Sequence, residues 1–91
     1  MTRPTACQFI AEEYAATLRE YVASQDESAL ARAYELGRKA ANNINILELA
    51  MIHHEALQEL SVSFAGEPLP FIVAAQFFTE SLSPFEMTLR A

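Results

Sequence analysis

The sequence predicts an all-α protein: a four-helix bundle followed by the start of a fifth, outgoing helix. Three observations lead there. The 91 residues include only two glycines and are rich in alanine, leucine and glutamate, a composition that favours helix over sheet. Apolar residues recur every three to four positions in each long segment. Helix starts, in which Ser or Asn is followed three residues later by Glu, punctuate the chain at Ser24, Asn45 and Ser83.

The first helix is expected from about Thr5 to Ala23. Phe9 or Ile10, Tyr14, Leu18 and Tyr21 or Val22 fall on one face. Ser24 and Glu27 form a capping-box pattern for the second helix, whose stripe reads Leu30, Ala33, Tyr34, Gly37 and Ala41. A glycine in a helix interior costs roughly 1 kcal/mol relative to alanine, so Gly37 predicts close approach of a neighbouring helix. Asn42 and Asn43 are suited to a left-handed helix end. Asn45 and Glu48 open the third helix, with Ile46, Leu49, Ala50, His53, Leu57 and Leu60 on one face and an end near Ser63. Gly66 and Pro68 mark a loop. The fourth helix is expected from Pro70 to about Leu82.

That fourth helix is apolar nearly all round. Phe71, Ala74, Ala75, Phe78 and Leu82 make one stripe, while Ile72, Val73 and Phe77 fall outside it. Such a helix is buried on several sides. The stripe of Phe71, Ala74, Phe78 and Leu82 is therefore assigned to the core or to a dimer contact. Sixteen of the apolar residues are alanines that bury little area, yet the larger ones are numerous for so small a core. The surplus predicts a contact with a second copy or with a partner.

Ser83, Pro84 and Glu86 read as N-cap, first helical position and capping partner of the fifth helix. The expected organisation is a helical input domain over residues 1–83 and, from 84 to 91, the start of a linker helix leading to an effector domain beyond Ala91.

Composition excludes several function classes. The formal net charge is -6, with six basic residues, which disfavours nucleic acid and anionic membrane surfaces. The single cysteine, Cys7, forms no internal disulfide and suits a reducing cytoplasm. No stretch is long and apolar enough for a bilayer. The start Met1-Thr2-Arg3-Pro4 is not that of a signal peptide. His53-His54-Glu55 is the one cluster to weigh for chemistry. Adjacent helical residues point about 100° apart, and no His or Cys lies four residues from either imidazole, so no metal or cofactor is expected. Phosphotransfer on a histidine needs an exposed imidazole free of a neighbouring carboxylate, whereas Glu55 follows His54 and His53 shares a face with Leu49 and Leu57. No catalytic residues and no enzyme are expected.

Beyond periodicity, the order of several segments resembles the N-terminal domain of RsbU, the phosphatase of the bacterial general stress pathway. The resemblance is carried by Tyr14-x3-Leu18-x2-Tyr21-Val22, Glu27-x2-Leu30-x2-Ala33-x2-Leu36-x-Arg38-Lys39, Ile52-His53-x3-Leu57-x-Glu59-Leu60, Phe71-Ile72-Val73 and the terminal Thr88-Leu89-Arg90. The run from Glu80 to Met87 also resembles input domains that precede sensor kinases. The resemblance implies a dimeric, non-catalytic input domain that binds a switch protein related to the GHKL kinases, RsbT in the stress pathway. Binding would act on a C-terminal phosphatase or kinase through a helical linker. The family's binding surface lies on the second and fourth helices, which here places it around Ala31 and Val73, with Phe77 one helical turn onward. The family pattern carries an aromatic at the position of Ala31. The alternatives are a purely structural dimerisation domain or a histidine phosphotransfer domain.

Overall fold

The computed structural model describes residues 6–90, with side chains described from Cys7 to Met87. Four helices follow one another: α1 (Ala6–Ser24), α2 (Glu27–Ala41), α3 (Ile46–Ser63) and α4 (Phe71–Arg90). The described residues contain no strand. None of these helices is long and apolar enough to cross a membrane. The expected helix start at Thr5 and the side chains of Thr88, Leu89 and Arg90 lie outside the described residues.

Local chemistry sets most of the boundaries. The capping box of α3 forms as expected: Asn45 Oδ1 accepts from Glu48 N at 2.8 Å and Glu48 Oε1 accepts from Asn45 N at 3.0 Å. The cap of α2 is corrected from Ser24 to Asp26, whose carboxylate accepts from Ser28 N at 3.0 Å. Ser24 stays in α1 and donates to Glu20 O at 2.9 Å. The reason is Gln25, which takes a left-handed φ of 52°. It ends α1 in one residue and leaves Asp26 extended, as a cap requires. At the end of α2, Asn42 is right-handed, against expectation. Asn42 and Asn43 finish the helix with their side chains instead, donating from Nδ2 to the carbonyls of Arg38 and Lys39.

The largest correction concerns Ser83-Pro84-Phe85-Glu86. No fifth helix starts there; α4 runs continuously to Arg90 with Pro84 inside it. An interior proline costs about 3 kcal/mol or more. Packing outweighs that cost. Ala74, Phe77, Ser81 and Phe85 are all buried and lie on one face across the break, so both halves of α4 share a single seat in the core. Ser83 is not a cap; its hydroxyl donates back to Thr79 O at 3.3 Å.

The core joins Ile10, Tyr14, Leu18, Tyr21 and Val22 of α1 to Ala29, Ala33, Leu36 and Ala40 of α2. Leu49, Ile52, Ala56 and Leu60 of α3 and the inner face of α4 complete it. On α2 the line from Ala29 to Ala40 is the buried one, and among the expected stripe Leu30 and Ala41 are only partly buried. On α3, likewise, Ala50, His53 and Leu57 are half-buried and Ile46 is exposed.

α2 and α4 make the closest pair. Leu30 lies by Ile72 and Ala75, Gly37 by Ser81, and Ala41 by Pro84. Numbers rise together along both helices, so the two run parallel. A Cβ on Gly37 would overlap the Ser81 carbonyl oxygen and stand 2.9 Å from its carbon. The expected close approach at Gly37 is therefore present, and the atom in the way is backbone that cannot rotate aside. Gly37→Ala is expected to destabilise the fold by about 1–3 kcal/mol, despite the gain of roughly 1 kcal/mol in helix propensity. Urea unfolding checks this, and unchanged or increased stability would refute the close packing.

Candidate functional site

The histidines come first, as the only cluster with chemical potential. His53 projects from α3 into the junction with α1 and α4. Tyr14 Oη and His53 Nδ1 are 2.6 Å apart. In the tautomer protonated at Nε2, the phenol donates to the imidazole. The imidazole stacks on Phe78 with ring centroids 4.2 Å apart and planes 10° from parallel. Tyr14 in turn meets Phe77 edge to face at 5.0 Å. His53 is thus a packing element with a satisfied ring nitrogen. Burial, and then the neighbouring His54, push its pKa below the ordinary value of 6.5. Burial likewise raises the Tyr14 phenol well above its ordinary value, with the Ser81 hydroxyl opposing the shift. His54 is exposed, and Glu55 follows it on the same outer surface. No three His, Cys, Asp or Glu side chains among the described residues converge on a metal position.

The apolar residues of α4 divide into three sets. Ala74, Phe77 and Phe85 are buried. Val73, Phe78 and Leu82 are partly buried against the core. Phe71 and Ile72 are 64% and 78% exposed. Phe77, expected as a surface anchor, has 0% exposure. It is sandwiched between Tyr14 and Tyr21 of α1, so it holds the bundle together and offers nothing to another molecule. Of the stripe assigned to core or dimer contact, Ala74 is core, Phe78 and Leu82 flank it, and Phe71 stands in solvent.

A groove opens between α2 and α4 near their first turns. Tyr21, Leu30, Ile72, Ala75, Gln76, Thr79 and Glu80 line its roughly 510 Å³. Tyr21 Oη donates to Gln76 Oε1 at 3.2 Å and ties α1 to the groove wall. Ala31 is exposed next to Leu30 on α2, and Val73 adjoins Ile72 but leans toward the core. Helix periodicity had set Ile72 outside the main stripe of α4, which is the sequence signal for this groove. Leu30 belongs to the apolar stripe of α2, and its half-exposure comes from its place at the rim of the helix pair.

A family model described as phosphoserine phosphatase RsbU, N-terminal domain, matches residues 12–88. No curated protein matches the chain, and no solved structure does.

His53 yields a pH dependence. A group held below its unfolded value binds fewer protons when folded, so its contribution is complete above pH 6.5 and is lost as pH falls through the lower folded value. The denaturant midpoint is expected to be lower at about pH 5.5 than at about pH 7.5. His53→Phe should flatten the change across that interval. A slope unaffected by the substitution would place the titrating group elsewhere.

Proposed function

The chain belongs to the family of RsbU N-terminal domains, and on that premise we propose that it is a non-catalytic regulatory input domain that docks a switch protein on the α2–α4 groove. The observation that carries this reading is Ile72. A large aliphatic side chain, 78% exposed, stands beside Leu30 on the two helices where the family resemblance puts the partner surface. Exposed apolar groups around a concave seat are the usual anchors of a protein interface. Ile72 and Leu30 take the role first assigned to Phe77, while Ala31 and Val73 border the same seat. The partner in this reading is a GHKL-type, RsbT-like protein, and the setting is the bacterial cytoplasm.

Homodimerisation uses a different flank of α4. Phe71 is exposed, Phe78 and Leu82 follow it at helical spacing, and Phe78 stacks on His53 of α3. The α3 line there, Ile46, Ala50 and Leu57, is likewise only partly covered or exposed. This flank and the Leu30–Ile72 groove leave α4 free to serve both contacts at once. The output element is α4 itself: its last described turns lie against α2, with Tyr34 Oη donating to Met87 Sδ at 3.4 Å. Force applied at the groove reaches a downstream phosphatase or kinase domain along that helix. A purely structural dimerisation domain is the second reading, supported by the exposed Phe71 flank alone.

Calorimetric titration with purified GHKL-type proteins encoded near this gene separates the two. Binding is expected, and Ile72→Asp should weaken it at least about tenfold while the far-ultraviolet circular dichroism stays unchanged. Full retention of affinity in that variant would sink the groove as the docking site; absence of any binding leaves the structural reading. Phe77→Ala is expected instead to lower folding stability by about 3–5 kcal/mol in denaturant unfolding.

A further inference from the structure

A second groove runs between α1 and α3, on a helix pair that the α2–α4 reading does not use. Ala11, Ala15, Ile52 and Ala56 form its floor, and Glu12, Glu55, Glu59 and Arg19 stand along its walls, around a space of about 250 Å³. The alanine floor continues past Ala15 to Leu18 and Leu60. Alanine side chains leave room for another backbone to approach closely.

The charge around this groove is unlike that on the other side of α1. There, Glu13 pairs with Lys39, Glu20 with Arg32, and Glu35 with Arg38. Half of the chain's six basic residues are consumed on α2 in this way. Glu12, Glu55 and Glu59 have no such cationic partner among the described residues. Three carboxylates thus face one guanidinium along an apolar trough. A second copy presents the same acidic walls and would be repelled.

We propose that the α1–α3 groove is a docking site for a cationic amphipathic helix, with small apolar side chains against Ala11, Ala15 and Ala56 and Lys or Arg reaching Glu12, Glu55 and Glu59. The apolar floor supplies the desolvated contact, and the carboxylates fix register and select against acidic partners.

The probe is a synthetic helical peptide of about 18 residues, alanine along one face with flanking lysines, titrated into the whole chain and followed by amide chemical shifts. Perturbations are expected along residues 11–19 and 52–59. Affinity should fall at least about tenfold in the double variant Glu55→Gln, Glu59→Gln and also in Ala11→Phe, which fills the floor, and should weaken with added salt. The Ile72→Asp variant should bind the peptide normally, which separates this site from the α2–α4 groove. The same peptide with glutamates in place of lysines should not bind. Loss of affinity in the charge variant alone, with Ala11→Phe unaffected, overturns seating in the groove. So do shifts scattered over all exposed carboxylates, or no shifts at all.

Discussion

The contact between Gly37 and the Ser81 backbone is the constraint on which the arrangement rests. Only a residue without a Cβ lets α2 and α4 approach this far. With the two backbones that close, and α1 laid across the pair, α4 cannot rotate about its axis. Its face bearing Ala74, Phe77, Ser81 and Phe85 is fixed inward. Other α4 residues then have an assigned side: Ile72 lines the α2 groove and Phe78 stacks on His53 of α3. The surface available to other molecules follows from one missing methyl group on α2.

A second layer of specification is polar. Tyr14, His53 and Ser81 place hydroxyl and imidazole groups where α1, α3 and α4 meet, and no buried side-chain nitrogen or oxygen among the described residues lacks a partner. A wholly apolar junction would tolerate small rotations of α3. The Tyr14–His53 hydrogen bond and the His53–Phe78 stack admit one rotation of it, because both depend on direction as well as distance. Around this junction the charges are sorted: α2 gathers the cations and neutralises the α1 face that it covers, while α3 keeps its carboxylates toward solvent.

How much could be read from the residues depended on the range of the interaction. Asn45 and Glu48 act within a single turn, and the start of α3 followed directly from them. Ser24 and Asp26 are both plausible caps two residues apart; the choice between them turns on the backbone of Gln25, and glutamine carries no strong preference for the left-handed region. Pro84 obeys every local rule for a helix start, yet α4 continues, because the rules contain no term for the core seat shared by Phe77 and Phe85. Phe77 and Ile72 both fall outside the main stripe, yet one is core and the other exposed, for a related reason. A helix apolar on nearly every side has no readable phase, and its rotation is set by Tyr14, Tyr21 and Gly37, which lie far away in the chain. The family likeness pointed to α2 and α4, the pair that frames the groove, but through Ala31, Val73 and Phe77, none of which lines it.

Pro84 also gives α4 a mechanical character. Lacking an amide hydrogen, it leaves the Glu80 carbonyl without its usual rung, so bending stiffness drops at that level of the rod. One turn earlier, Ser81 is clamped by Gly37. With Ser81 clamped on one side and Phe85 seated in the core on the other, the missing rung is bracketed by fixed points, and the helix keeps its course across the gap.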